Sequence, residues 1–175
     1  MTAKPKTFDF GTLVAAIREV DAHLAAQAGR AVNISLTLRN WLIGLYISEF
    51  ELNGQDRANY GDNLFRELSN QLRRFKISNT GRRQLYNYMA FFRIYPQIVR
   101  TVPAQSRHLL PQTIDEERVR TASAQLGIEP EKLLDAISYS HFELLLGLDD
   151  DLKRAFYEIE CMRGNWSVRE LKRQI

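Results

Sequence analysis

Two adjacent arginines, Arg82 and Arg83, are followed by Gln84 and, one helical turn on, by Asn87. Of all the groupings in the chain, this one is best equipped to act on another molecule. Arginine pairs bidentately with guanine, and Asn or Gln with adenine, so these four carry the donors needed to read base edges in a major groove. Arg66, Arg73, Arg74 and Lys76 lie just upstream and could neutralise backbone phosphates. The paired arginines also open a helix, where the macrodipole disfavours a cation by some tenths of a kcal/mol. Their placement therefore asks for an external anion. Arg73, Arg74 and Lys76 are less telling, because dipole complementarity alone puts cations at the end of a helix.

Charge along the chain points the same way. The 175 residues carry 24 Lys and Arg against 21 Asp and Glu, a net charge of +3. Residues 57–100 contain nine of those cations and two acids, so one quarter of the chain holds all of the excess. With 45% hydrophobic and 26% charged residues the composition suits a folded core rather than a disordered chain. No apolar run approaches the roughly 20 residues of a membrane span. The single Cys161 forms no internal disulfide, and no signal-like segment opens the chain. The expectation is a soluble cytoplasmic protein with no membrane contact.

Other chemistries find little support. His23, His108 and His141 are far apart and lack companion ligands at usable spacing, so no metal site is assigned. Cys161 beside Met162 reads as a small buried apolar residue. Asp151-Leu152-Lys153 spells half of a nuclease signature, but that chemistry needs carboxylates converging on a metal from a sheet, and these aspartates open a helix. Tyr86, Tyr88, Phe91, Phe92 and Tyr95 could stack on bases, although their helical spacing suits a core better. No catalytic, cofactor-binding or metal-binding residue is assigned, and no cofactor is implied.

The elements that must position the arginines are all helices. Apolar residues recur at three and four rather than two, and only nine Gly and five Pro interrupt them. The expected architecture is an all-α helical bundle containing a helix-turn-helix-like pair. After a flexible tail over 1–10, a single domain covers 11–175. Its first helix spans about 12–28, with Leu13, Ile17, Val20 and Leu24 on one face and Gly29 as its stop. A second runs over about 32–52 with a buried stripe of Leu38, Trp41, Leu42, Leu45 and Ile47. A third at 61–75 and a fourth at 81–95 flank the break Lys76-Ile77-Ser78-Asn79-Thr80 and form the helix-turn-helix-like pair. Pro96 ends the fourth. Residues 103–113 read as a long loop within a variable connection over 103–137, with short helices at 115–126 and 130–137. The C-terminal helices occupy 138–175: one near 140–147, one over 150–162 with acids at its start, and one opened by the capping box Ser167-Val168-Arg169-Glu170. That last helix has scarcely two turns, which points to a segment beyond it.

Several motifs together resemble the N-terminal domain of the YhcG-like nucleases, bacterial proteins in which a helical domain precedes a PD-(D/E)XK nuclease domain. They are Asn33 ahead of Trp41-Leu42-Ile43-Gly44, Tyr60-Gly61 with Leu64, Leu68 and Leu72, and Arg82-Arg83-Gln84-Leu85-Tyr86 leading to Phe91-Phe92 and Tyr95-Pro96. Tyr139-Ser140-His141-Phe142, Arg154 with Phe156-Tyr157, and Trp166-Ser167-Val168-Arg169-Glu170-Leu171 continue the series. Residues 103–137 depart from the family by their length, and Tyr139 stands where the family commonly has Trp. The resemblance implies a helical module for DNA recognition or partner docking, joined to a nuclease domain that this sequence lacks. The leading expectation is a non-catalytic module that binds nucleic acid, duplex DNA above all, and positions a nuclease fused to it or supplied separately. The alternative is a protein-interaction or homodimerisation module, with Trp41, Phe91 or Trp166 on an apolar surface. A catalytically complete nuclease is the third class considered.

Overall fold

A computed structural model describes residues 10–53, 63–111 and 129–175. The expected tail over 1–10, except Phe10, and the helix at 115–126 lie outside the described residues. Every regular element among the described residues is helical. Seven α-helices appear there: α1 (Phe10–Asn53), α2 (Leu64–Arg74), α3 (Arg82–Ile94), α4 (Pro130–Ala136), α5 (Tyr139–Leu145), α6 (Asp151–Gly164) and α7 (Val168–Gln174). Two 3-10 segments, Pro96–Thr101 and Ala104–Leu109, follow α3. No described helix is long and apolar enough to cross a membrane.

The first correction concerns α1. Gly29 does not end a helix; the chain runs unbroken for 44 residues. One interior glycine costs only about 1 kcal/mol relative to alanine, and Ala25, Ala26, Ala28 and Ala31 around it are strong helix formers. Gly29 also stands in open space, with nothing within 4 Å of where a Cβ would sit, so no packing demand bends the chain there. The second correction concerns 103–113, where 3-10 turns replace most of the expected loop. Pro96 and Pro103 each set φ for a tight turn while donating no hydrogen bond.

The bundle forms around the second half of α1. Leu38, Trp41 and Leu45 join Phe91 of α3, Tyr95 just past its end, Ile98 and Val99 of the next segment, Val102 at that segment's end, and Leu133, Leu134, Phe142, Leu145, Cys161 and Leu171 in one core. Trp41 is fully buried, and its indole N–H donates to the Tyr95 carbonyl at 2.8 Å. The expected stripe is therefore core, and neither Trp41 nor Phe91 is available to a partner as the docking alternative required; Trp166 is half-buried. A smaller cluster of Ile47, Leu85, Tyr88 and Met89 receives Phe65, Leu68 and Leu72 from α2. This is how α2 is held against α3.

One glycine fixes the distance between α1 and α3. A Cβ on Gly44 would lie 1.9 Å from the Tyr88 carbonyl oxygen, so at that point the two backbones touch with no side chain between them.

Candidate nucleic-acid interface

Between α2 and α3 the chain makes a turn of seven residues, 75–81, whose shape is fixed by hydrogen bonds. Lys76 and Asn79 both take positive φ, 58° and 57°. The Lys76 and Ile77 N–H groups donate to the Arg73 and Leu72 carbonyls at 2.9 and 3.2 Å, closing the end of α2. The hydroxyl of Thr80, itself buried, donates to the Ile77 carbonyl at 2.8 Å. From outside the turn, Arg39 of α1 donates to the Ser78 carbonyl at 2.9 Å and Tyr88 of α3 to the Asn79 carbonyl at 2.8 Å. Burial, opposed by the nearby Arg39 guanidinium, raises the Tyr88 phenol above its usual range, so it remains a donor. Farther along α3, Arg93 pairs with Glu51 at 2.7 Å and ties the helix back to α1.

On this frame Arg66, Arg73, Arg74, Lys76, Arg82 and Arg83 are all exposed, and none of them forms an ion pair with another described residue. A Cβ on Gly81 would lie 4.0 Å from Arg73 Nη2, which places that guanidinium beside the start of α3. Gly81 offers no side chain to cap α3, and the first turn holds no acid. The free N–H groups of a helix N-terminus thus point in the same direction as two arginines. Arg82 and Arg83, with Tyr86 and Phe65, line an open groove of about 430 Å³.

The other two predicted readers are placed differently. Gln84 is half-buried, and its Oε1 has no hydrogen-bond partner among the described residues. Asn87 is half-buried and donates to Glu143 of α5 at 3.2 Å. The aromatic run divides by depth. Tyr88, Phe91 and Tyr95 are core and Phe92 packs on Trp41 edge-on, but Tyr86 is 58% exposed and meets Phe65 at a ring separation of 5.7 Å. Phe75, in the turn, escaped the sequence reading and is 75% exposed. Its position one residue past two arginines was the only available hint. Arg39 escaped it too, because its contact with Ser78 spans 39 residues.

His141, Asp150, Asp151 and Cys161 are used within the fold. His141 accepts from the Ser138 N–H at Nδ1 (3.2 Å), so Nε2 carries the proton it donates to the Trp166 carbonyl at 2.9 Å. Asp150 caps α6 through the Lys153 N–H, and Asp151 pairs with Arg154 at 2.6 Å. Burial, with Glu158 and Glu160 adding to it, pushes the Cys161 thiol up to about 11. Such a thiol is a poor nucleophile at neutral pH. Among the described residues no group of His, Cys, Asp and Glu could hold a metal ion.

An all-α bundle presenting an uncapped, arginine-rich helix start is the class of protein defined so far. Residues 16–175 match the model of the DUF1016 N-terminal domain, and the chain belongs to that family. It is 35% identical over 156 residues to "Putative nuclease YhcG" of Escherichia coli (strain K12). The match covers 83% of this chain but only 39% of that relative's length. No solved structure matches it at a significant level.

Proposed function

We propose that this chain binds nucleic acid, duplex DNA first, through the basic surface of α2, the turn and α3, and so positions a nuclease domain without performing the cleavage itself. One observation carries the reading: six outward cations surround a rigid turn and an uncapped helix start, with no described carboxylate paired to any of them. A hairpin that existed only for stability would gain nothing from two arginines at the unfavourable end of a helix. Arg66, Arg73, Arg74 and Lys76 hold phosphates while Arg82 and Arg83 approach base edges as in a helix-turn-helix, with Gln84 beside them and Asn87 bracing α3 on Glu143. The relative's name supplies the nuclease connection, which here extends to a domain fused to this one or to a separate protein. Such a module belongs in the cytoplasm with the DNA.

Fluorescence anisotropy with a labelled duplex of about 25 base pairs tests this. The affinity should fall linearly in log salt by about 0.9 per phosphate engaged, giving a slope of about −4 to −6. The Arg82→Ala, Arg83→Ala double variant should lose about 100-fold in affinity at constant salt. A flat salt profile, or unchanged binding by the variant, would overturn the reading.

A further inference from the structure

The first half of α1 presents a surface that the DNA contact leaves unused. Along the helix one stripe recurs in alternating steps of three and four: Phe10, Leu13, Ile17, Val20, Leu24, Gln27, Ala31, Ile34, Leu38, Trp41 and Leu45. Leu38, Trp41 and Leu45 are buried in the core and Ile34 packs against it, whereas Phe10, Leu13, Ile17, Val20 and Leu24 are exposed. The stripe has a single register, and only its second half is covered.

The strictness of that register says what kind of cover it fits. A straight helix drifts by about 20° per heptad against a seven-residue repeat, so a stripe kept over five heptads matches a second helix winding along it rather than a flat protein face. We infer that a second copy of this chain supplies that helix, the two pairing over residues 10–31 as a coiled coil. A twofold contact brings the same spacing and the same length to both sides. Arg18 and Arg30 balance Glu19 and Asp21 along this half, so two copies meet without net repulsion. Ala16 and Ala28 keep the flanks of the stripe thin enough for close approach. The exposed apolar side chains, Val14 included, would each remove about 60–120 Å² from water, giving about 1,000 Å² for the pair, the lower bound for a specific interface. The resulting dimer is a reversible one. The inference does not depend on the DNA reading.

Sedimentation analysis of the full chain between about 1 and 100 µM should give a mass rising from the 20.3 kDa of one copy toward twice that. The Ile17→Asp, Leu24→Asp variant should weaken the association at least tenfold. Leu36→Asp, an equally exposed site on the opposite side of the same helix, should leave it intact and controls for general damage to α1. A chain that stays monomeric at 100 µM overturns the proposal and leaves the stripe to a different protein or to another segment of the same molecule. So does association that survives Ile17→Asp, Leu24→Asp, or that Leu36→Asp disrupts equally.

Discussion

Arg154 and the pair Arg82–Arg83 are the same side chain in opposite settings. Arg154 is 9% exposed; its guanidinium donates to the Leu145 and Leu148 carbonyls at 3.4 and 2.6 Å and pairs with Asp151. It closes the junction between α5 and α6 and stands across from Glu158, which accepts from the Tyr95 hydroxyl at 2.6 Å. Arg82 and Arg83 face water and have no such set of partners among the described residues. Net charge cannot tell these uses apart, since residues 149–175 hold six cations and are neutral overall. Availability, rather than number, separates a cation that holds the fold from one free to hold a ligand.

The contrast can be broken from either side. Arg154→Ala removes the guanidinium donor of the Leu148 carbonyl and one of two donors to the Leu145 carbonyl, which keeps the Leu148 N–H, and should cost about 2–3 kcal/mol in urea unfolding, while the folded fraction still binds DNA normally. A loss below about 1 kcal/mol would mean that water replaces the guanidinium. Arg82→Ala, Arg83→Ala should do the reverse, leaving stability within about 0.5 kcal/mol of the parent while DNA affinity drops. If this double variant unfolds early, the two settings are not distinct after all.

A smaller effect comes from Glu158. Burial raises its carboxyl above the ordinary value of 4.5, only partly offset by the Tyr95 hydrogen bond and the Arg154 charge. Between the unfolded and the raised folded value the native state holds the extra proton, so stability falls as pH rises through that window, with a slope of at most about 1.4 kcal/mol per pH unit. Glu158→Gln should flatten that slope in unfolding curves recorded from pH 4 upward; an unaltered slope would assign it elsewhere. The smallest effect is that of Ser167, whose hydroxyl accepts from the Glu170 N–H at 3.3 Å while the Glu170 carboxylate accepts from the Ser167 N–H at 2.7 Å. Ser167→Ala should cost about 1 kcal/mol, measured by thermal unfolding.

Much of this was readable from local chemistry. Ser167 and Glu170 form the box their spacing predicts, and Pro96 lies two residues past the end of α3. The stripe of Leu38, Trp41 and Leu45 is core. What failed was what depends on surroundings. Gly29 carries the same letter as a helix-stopping glycine, yet among its alanine neighbours and with open space around it α1 continues. Gly44 looks equally ordinary, although the Tyr88 carbonyl makes any larger residue impossible there without moving a helix. At the candidate site, the break at 76–80 put Arg82 and Arg83 in the first turn of a helix, where α3 has them. The anchoring of their turn by Arg39 and Tyr88, the engagement of Asn87 by Glu143 and the exposure of Phe75 could not be read in this way, because each is set by distant partners or by their absence.

The contact at Gly44 has a mechanical consequence. A helix of 44 residues is a rod of about 66 Å, and close to one end of it backbone presses on backbone, with no compressible side chain as a cushion. Tilting the free end therefore drags α3 along, arginines included. Whatever grips the far tip of the rod holds a lever on the surface that carries Arg82 and Arg83.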